Sequence, residues 1–227
     1  MVNPDSPVWL ITGAAGALGA ALTRRVLAGG GDVVALDQNA PNLNRLHDSL
    51  ARSGRPPALM PLDLVGAGPD DYADLAAAVE QQFGRLDVLV HNAAHFVSLR
   101  PLEHQPADEW MKSVQAGLTG PFLLTQALLP LLRKSSDARI VLVSDTYCLD
   151  KPANWGAYGM SQAARRWLGE AWRAELGPRG PRVIELDPGA FYSRIRAAAW
   201  PAENPEQLPS ADSAAASLME QIKQGVH

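Results

Sequence analysis

The sequence predicts a three-layer α/β fold with a doubly wound parallel sheet of six or seven strands. Short apolar runs alternate with helix-length segments, which is typical of a parallel sheet covered by helices on both faces. The first apolar run, residues 8–11, leads into a glycine-punctuated stretch at positions 12–19, TGAAGALG. Neither a repeat nor a linker interrupts the alternation, so residues 1–227 are expected to form one domain.

Composition argues against several classes of partner. The 227-residue chain has 20 Lys and Arg against 24 Asp and Glu, a formal net charge of −4, and no basic run. Nucleic acid and membrane surfaces are therefore not expected partners. The single cysteine, Cys148, excludes an internal disulfide, and no signal peptide or membrane span is recognisable, so a cytoplasmic protein is expected. No metal site is expected, because the five histidines lack metal-ligand spacing.

The glycine-punctuated stretch predicts a binding site for the phosphates of a dinucleotide. The strand ends at Thr12, and Gly13 permits the tight turn that follows it. Gly16 lets backbone N–H groups approach a pyrophosphate, and Gly19 lets the next helix pack closely against the sheet. That helix is expected over residues 17–28, with its N-terminus facing the phosphate charge. A merely structural turn is the alternative, because small residues also serve ordinary strand-to-helix connections.

An acid at the end of the second strand favours NAD over NADP. This strand is expected over residues 32–37 and ends at Asp37. A carboxylate at this place accepts hydrogen bonds from the adenosine ribose hydroxyls and repels a 2′-phosphate. No arginine lies among the glycines or directly after Asp37 to bind that phosphate. The alternative interpretation of Asp37 is an exposed loop acid without a ligand.

The following elements place more candidate ligand residues at strand ends. Helices are expected over residues 42–53 and 70–83, and strands over residues 58–62 and 86–90. Ligands of parallel α/β sheets bind at the carboxyl ends of the strands. At these two ends lie Asp63 and Leu64, where an adenine amino group could be met, and then His91, Asn92, Ala93 and Ala94.

Together these motifs resemble the short-chain dehydrogenase/reductase family. The resemblance rests on TGAAGALG, Asp37, Asp63, HNAA at positions 91–94, YGMSQ at positions 158–162, and Asp187-Pro188-Gly189 with Ser193. PANWGAYGMSQAA and SRIRAAAWPAENP look like one bacterial branch of that family. The resemblance implies a Rossmann-type fold, a nicotinamide cofactor and a carbonyl or alcohol substrate. It implies cofactor contacts from Thr12, Gly13, Gly16, Ala17, Leu18, Gly19, Asp37, Asp63, Leu64, Asn92, Ala93, Ala94, Gln162, Pro188, Gly189 and Ser193.

The positions that carry the family's catalysis hold unusual residues in this chain. The resemblance places Tyr158 as the general acid–base, but Gln162 replaces the lysine that lowers its pKa. Asp145 stands thirteen residues before the tyrosine, where the family has a serine that holds the substrate oxygen. The asparagine that maintains a water-linked proton path falls on Gly117. In addition, Ala17 and Ala94 replace glycines of the family pattern.

The replacements at the catalytic positions act against the formation of a tyrosinate at neutral pH. Gln162 carries no charge, and a carboxylate beside a phenol raises the phenol pKa and repels a developing oxyanion. Two interpretations stay open. One is an NAD-dependent oxidoreductase that works through an altered site, with Asp145 or His95 as another base. The other is a catalytically inactive homologue that binds cofactor as a sensor, scaffold or partner subunit.

The second half of the chain indicates assembly and a substrate loop. An apolar helix over residues 122–132 and the helix with Trp167 resemble the family's dimer-forming pair, so a homodimer or homotetramer is expected. Residues 190–209, which include Trp200, resemble its mobile substrate loop. A last helix is expected over residues 212–224, with no obvious seventh strand after it.

Overall fold

Six parallel strands form one sheet in the computed structural model, which describes residues 6–52, 54 and 56–224. The order across the sheet is β3-β2-β1-β4-β5-β6, and each neighbouring pair is parallel. The order reverses between β1 and β4, where doubly wound sheets open a ligand crevice at the carboxyl ends of their strands. The predicted α/β fold is confirmed. The strands are Val8–Thr12 (β1), Asp32–Asp37 (β2), Ala58–Pro61 (β3), Val88–His91 (β4), Arg139–Val143 (β5) and Arg182–Leu186 (β6).

Helices cover both faces of this sheet because successive strand residues point to opposite sides. In β1, Trp9 and Ile11 join one apolar core, and Val8 and Leu10 join the other. Helices α1, α2 and α9 pack into the first core, and α3, α5 and α7 into the second. The helices are Ala17–Ala28 (α1), Ala40–Ala51 (α2), Pro69–Phe83 (α3), Ala107–Val114 (α4), Gly120–Leu132 (α5), Thr146–Asp150 (α6), Gly156–Leu176 (α7), Arg194–Ala199 (α8) and Ala211–Gln224 (α9).

A π-helical turn joins α4 to α5. It covers Gln115–Thr119, and the backbone stays in the helical region on both sides of it. The apolar helix expected over residues 122–132 is therefore the second half of a longer helical segment. Gly117 lies inside the turn. Single π-turns within α-helices are rare and occur frequently at functional sites.

Most element boundaries agree with the sequence-based expectations to within two residues. α1 and β2 have the expected limits. α2 starts at Ala40, two residues early, because the Asn39 side chain accepts the N–H of Asn42 at 3.0 Å and caps the helix. β4 starts two residues late at Val88, because Leu86 donates its N–H to Leu131 of α5 rather than to a strand. The expected end of α2 at Ser53 lies outside the described residues.

The last helix closes the first core. α9 packs against α1, and Asp212 pairs with Arg25 of that helix. No strand follows β6 within the part of the chain that the structure describes, so the sheet there has the smaller expected number of strands. Within the same residues, no helix combines the length and apolarity needed to cross a membrane.

Gly19 marks the tightest contact between α1 and the turn that precedes it. A Cβ at this position would overlap the carbonyl oxygen of Gly13 and lie 2.8 Å from the Cα of Ala14. Backbone cannot move aside as a flexible side chain can, so we expect Gly19→Ala to lower the free energy of unfolding by about 1–3 kcal/mol. Urea denaturation measures the change.

Gly29→Ala is the matched control for this substitution. Its new Cβ would lie 3.4 Å from the nearest atom, the Arg25 carbonyl oxygen, and its φ of −80° suits alanine. Its effect should stay within about 0.5 kcal/mol. Equal stability of the two variants would contradict the close packing assigned to Gly19.

Candidate active site

Two adjoining cavities open at the carboxyl ends of the strands. The first has a volume of about 200 Å³ and lies over β1, β2, β3 and β4. It runs from the glycine turn to the segment that precedes α8. Among the residues expected to contact a cofactor, those that line it are Gly13, Gly16, Ala17, Leu18, Asp37, Asp63, Leu64, Asn92, Ala93, Ala94 and Ser193.

The glycine turn is held in place by the end of β2. Gly13 has a φ of +65°, which glycine adopts without strain. The Asp37 carboxylate accepts the N–H of Ala15 at 3.0 Å and the N–H of Asn39 at 2.9 Å. Asp37 is therefore more than a loop acid, because it ties the turn to the strand beside it. Each carboxylate oxygen keeps acceptor capacity for a ribose hydroxyl.

Thr12 and Gly19, also expected in the cofactor set, line neither cavity. Thr12 is 1% exposed, and its hydroxyl donates to Val90 at 3.3 Å and accepts the N–H groups of Asn92 and Ala93, each at 3.0 Å. It therefore joins the ends of β1 and β4. Gly19 is buried beneath the turn. Both residues shape the cavity wall from behind.

The second cavity, of about 340 Å³, continues from the first and lies over β5 and β6. The two share wall residues that include Leu18, Asn92 and Ala94. One elongated ligand can therefore extend from the glycine turn into the second cavity. The walls of the second cavity include five more of the expected site residues, namely Asp145, Tyr158, Gln162, Pro188 and Gly189.

The structure brings Tyr158 and Asp145 into direct contact. Tyr158, on α7, is 7% exposed, and its hydroxyl donates to the Asp145 carboxylate at 3.2 Å. Burial, followed by the charge of Asp145, raises the pKa of Tyr158 well above 10. Burial also raises the pKa of Asp145, and the charge of Asp187 adds to this. The phenol therefore keeps its proton at neutral pH, and a free tyrosinate does not form there.

Gln162 holds the backbone beside this pair. It is 2% exposed, and its side-chain oxygen accepts the N–H of Asp145 at 3.3 Å. Of the two hydroxyls next to Asp145, that of Thr146 donates to Asp187, so it does not replace the missing serine. Ser144 lines the cavity, and its buried hydroxyl has no hydrogen-bond partner among the described residues.

Gly117 does not reach either cavity. A Cβ at this position would lie 2.6 Å from Oγ and 2.7 Å from Cβ of Ser161 on α7. The space into which an asparagine side chain would project is therefore already filled. The Gly117 carbonyl accepts a hydrogen bond from Nε of Arg165 at 3.0 Å instead. The water-linked proton path of the family has no counterpart at this residue.

Arg165 is the site residue that the sequence analysis missed. It is 1% exposed and lines the second cavity. Burial lowers its pKa to about 10, so the side chain stays charged at neutral pH. The available signal was its spacing, because residues 158, 162 and 165 lie on one stripe of α7.

Aromatic side chains cluster at the second cavity, where Tyr147, Tyr158 and Trp200 form part of the wall. Trp155 lies 5.5 Å from the ring of Tyr158 and 5.4 Å from that of Trp200, and Tyr147 lies 5.4 Å from Trp200. Arg196 of α8 stacks on Trp200 at 3.7 Å and donates two hydrogen bonds of 2.6 Å to Glu203. In residues 190–209, the expected substrate loop, an ion pair and ring stacking therefore order the part nearest the cavity.

The histidines near the strand ends differ in their surroundings. His91 is 1% exposed, its Nε2 lies 2.8 Å from the Thr125 hydroxyl, and burial lowers its pKa to about 3. It is a neutral core residue. His95 lines the first cavity. No cluster of three or more His, Cys, Asp or Glu that could hold a metal occurs in the described residues.

Comparison with known proteins identifies the family. Residues 7–204 match the family model described as short chain dehydrogenase. The chain therefore belongs to the short-chain dehydrogenase/reductase family of oxidoreductases. It is similar to the uncharacterized oxidoreductase YciK of Escherichia coli strain K12, with 32% identity over 200 residues, which are 88% of this chain and 79% of YciK.

Solved structures agree with this assignment. A structure described as a short chain dehydrogenase from Pseudomonas syringae has a TM-score of 0.88 and 38% identity, over 94% of this chain and 88% of that one. Another, from Shigella flexneri 2a strain 301 and complexed with NADP, has a TM-score of 0.87 and 30% identity, over 91% and 86% of the two chains. The likeness supports binding of a nicotinamide dinucleotide by this fold.

Contact between Gly117 and Ser161 predicts a specific non-additivity. We expect Gly117→Ala to lower the free energy of unfolding by about 1–3 kcal/mol, because the new Cβ presses on Ser161. In a Ser161→Gly background, which removes both close atoms, the same substitution should cost less than about 0.5 kcal/mol. A double-mutant cycle in urea measures the difference. An equal cost in both backgrounds would contradict the packing described here.

Proposed function

We propose that this chain is an NAD(H)-dependent oxidoreductase of a carbonyl or alcohol substrate, in which Tyr158 and Asp145 act as one proton relay. The observation that supports this proposal most directly is the hydrogen bond from the Tyr158 hydroxyl to Asp145. The bond lies in the second cavity, which adjoins the cavity at the glycine turn. The proposal treats residues 1–227 as one domain and includes a cytoplasmic location, which the single cysteine supports.

The first cavity fits a dinucleotide in its charge and shape. The N-terminus of α1 faces it at Gly16, with neither a side-chain cap nor an acid in the first turn. Its unpaired N–H groups and positive dipole end suit a pyrophosphate. Asp37 and Asp63 line the end where the ribose and adenine would lie. When bound, the nicotinamide accepts or gives the hydride of the reaction.

The relay replaces tyrosinate chemistry with a carboxylate base. During alcohol oxidation, the substrate hydroxyl gives its proton to the Tyr158 oxygen while the Tyr158 proton passes to Asp145. With a hydride lost from the substrate carbon, which bound nicotinamide would accept, the products would be a carbonyl compound and a protonated Asp145. The phenol passes a proton on without becoming a stable anion, and its raised pKa is then no obstacle. Carbonyl reduction runs the same transfers in reverse.

The pH dependence of alcohol oxidation tests the relay. The base must be ionised, so we expect a rate that is level at neutral and alkaline pH and falls as the pH drops through the raised pKa of Asp145. Asp145→Asn and Tyr158→Phe should each lower kcat by about 10²–10⁴-fold. The assay follows NAD reduction with a panel of primary, secondary and aromatic alcohols.

Asp145→Ser combined with Gln162→Lys is the matched control for the relay. It restores the serine and lysine that the resemblance implies, so its rate should instead rise toward alkaline pH. A rate that rises toward alkaline pH in the natural protein would show that a tyrosinate acts alone. Full turnover by Tyr158→Phe would point to another base, such as His95.

The preference for NAD over NADP is part of the proposal. Asp37 supports it, because its carboxylate lines the first cavity and would repel a 2′-phosphate. The NADP in the Shigella flexneri structure points the other way. Calorimetric titration should give a lower Kd for NADH than for NADPH. Asp37→Asn should tighten NADPH binding about tenfold, because it removes the repelling charge.

Asp63→Asn is the control for this titration. Adenine is common to both cofactors, so the change should alter the two dissociation constants by similar factors. Tighter binding of NADPH by the natural protein, or no binding of either cofactor, would contradict the preference.

A second candidate function is cofactor binding without turnover, as a sensor, scaffold or partner subunit. The raised pKa of Tyr158 and the neutral Gln162 favour it. It predicts a normal NADH affinity together with no hydride transfer across the alcohol panel and the corresponding carbonyls. Activity lost on Tyr158→Phe or Asp145→Asn would exclude it.

Self-association completes the proposal. Exposed apolar side chains lie on three helices, with Met111 of α4 67%, Phe122 of α5 39% and Trp167 of α7 72% exposed. We propose that they are covered in a homodimer or homotetramer. Light scattering at micromolar concentration should show this oligomer, and Trp167→Glu should shift it toward monomer. Leu102→Glu, at a 67% exposed site outside these helices, should leave it intact. A monomeric natural protein would contradict the proposal.

A further inference from the structure

Arg165 carries a buried charge that no carboxylate neutralises among the described residues. Its guanidinium donates to the carbonyls of Gly117 at 3.0 Å, Val143 at 2.9 Å, Ala93 at 2.8 Å and His91 at 3.4 Å. A guanidinium has five N–H groups, so these bonds leave one for another acceptor. Burying a cation costs several kcal/mol, and proteins normally offset it with a paired acid. Here carbonyl oxygens at the ends of β4 and β5 and in the π-turn take the place of that acid.

The position of Arg165 directs this charge to the active-site cavity. Tyr158, Gln162 and Arg165 occupy positions i, i+4 and i+7 of α7 and therefore share one face. Long side chains on a helix lean toward its N-terminus, so the Arg165 guanidinium reaches back toward Gln162 and Tyr158. Arg165 and Tyr158 line the same cavity, and the Arg165 charge acts to lower the Tyr158 pKa, against the larger raising effects of burial and of Asp145. Position 162 carries no cation, and Arg165 holds one about a turn further along the same face of α7.

Gly117 fits the same arrangement. Its carbonyl accepts the Nε–H of Arg165, and its missing side chain leaves room for Ser161 between the two helical segments. An asparagine there would project into Ser161 and lie close to the guanidinium, because even a Cβ would be 3.8 Å from Nη2 of Arg165. The departure at position 117 and the presence of Arg165 are therefore parts of one packing arrangement.

We propose that Arg165 supplies the positive charge of this active site, in place of a lysine at position 162. Resting on the proposed function, this inference makes Arg165 a positioning residue that acts through Tyr158 and Asp145. Its charge stabilises the negative charge that the Tyr158 oxygen carries while the proton passes to Asp145. The carboxylates of Asp145 and Asp187 line the same cavity, so we expect the Arg165 charge to lower the Asp145 pKa as well. The other cavity arginine, Arg196, is paired with Glu203, which first raises its pKa, and the charge of Asp145 adds to that rise. Its charge is therefore shared between two acids.

The test compares Arg165→Met, Arg165→Lys and the double variant Arg165→Met with Gln162→Lys. Arg166→Met is the matched control, because this neighbouring arginine is 56% exposed in its side chain and pairs with Glu185 outside the cavity. Thermal unfolding first establishes that each variant folds. We expect Arg165→Met to lower kcat for alcohol oxidation at least about 100-fold, with a KM change below about threefold. The double variant should recover at least about tenfold, and Arg166→Met should match the natural protein.

A purely structural role of Arg165 predicts a different result. If Arg165 only joins the strand ends, a lysine at position 162 restores neither stability nor rate, and the loss in kcat follows the loss in Tm. That outcome, or full activity in Arg165→Met, would overturn the proposal. If Arg165→Met does not fold, Arg165→Lys becomes the test. This variant keeps the positive charge and should retain more than about one tenth of the natural kcat.

A measurement without turnover separates this inference from the proposed function. Carbon NMR of the Asp145 carboxyl follows its titration in the presence of NADH. Loss of the cation in Arg165→Met should raise the Asp145 pKa above that of the natural protein, and Arg166→Met should leave it unchanged. A raised pKa together with no turnover in the natural protein would contradict the proposed function while supporting the charge role of Arg165. An unchanged pKa would contradict that role directly.

Discussion

The buried guanidinium of Arg165 is the interaction on which the candidate site depends. One side chain binds carbonyls from the ends of β4 and β5 and from the π-turn between α4 and α5. The residues at the ends of β4 and β5 line the second cavity, and Ala116 of the π-turn lines the first. Leaving a buried charge without these acceptors is strongly unfavourable, so the bonds fix the depth at which α7 packs on the sheet. The same bonds therefore set the position of Tyr158 and Gln162 in the cavity wall.

Within this frame, Tyr158 and Asp145 are held as a pair. Asp145 caps the N-terminus of α6, where its carboxylate accepts the N–H of Cys148 at 3.4 Å. The Gln162 side chain accepts the backbone N–H of Asp145. Burial makes the ionised form of each group unfavourable, which raises both pKa values. A free tyrosinate is therefore unfavourable. The hydrogen bond between the two groups offers a path on which the phenol passes a proton to Asp145 without becoming a free anion.

Sequence patterns predicted the fold well because its signals are local. The alternation of apolar runs and the glycine turn at Gly13 each act within a few residues of the chain. The candidate site was predicted only where it follows those signals. Arg165 looks like its neighbour Arg166 in the sequence, and only the packing of α7 buries one and exposes the other. The contact between Gly117 and Ser161 joins positions 44 residues apart, so no local pattern could indicate it.

A crystal structure with NADH bound tests the central claim most directly. It would show the cofactor, the tyrosine and the carboxylate in one view. The account predicts a pyrophosphate at the N-terminus of α1, the nicotinamide beside Tyr158, and the Tyr158–Asp145 hydrogen bond still formed. The guanidinium of Arg165 should remain on the Gly117 carbonyl. A complex in which Asp145 turns away from Tyr158, or in which the cofactor lies outside the two cavities, would contradict it.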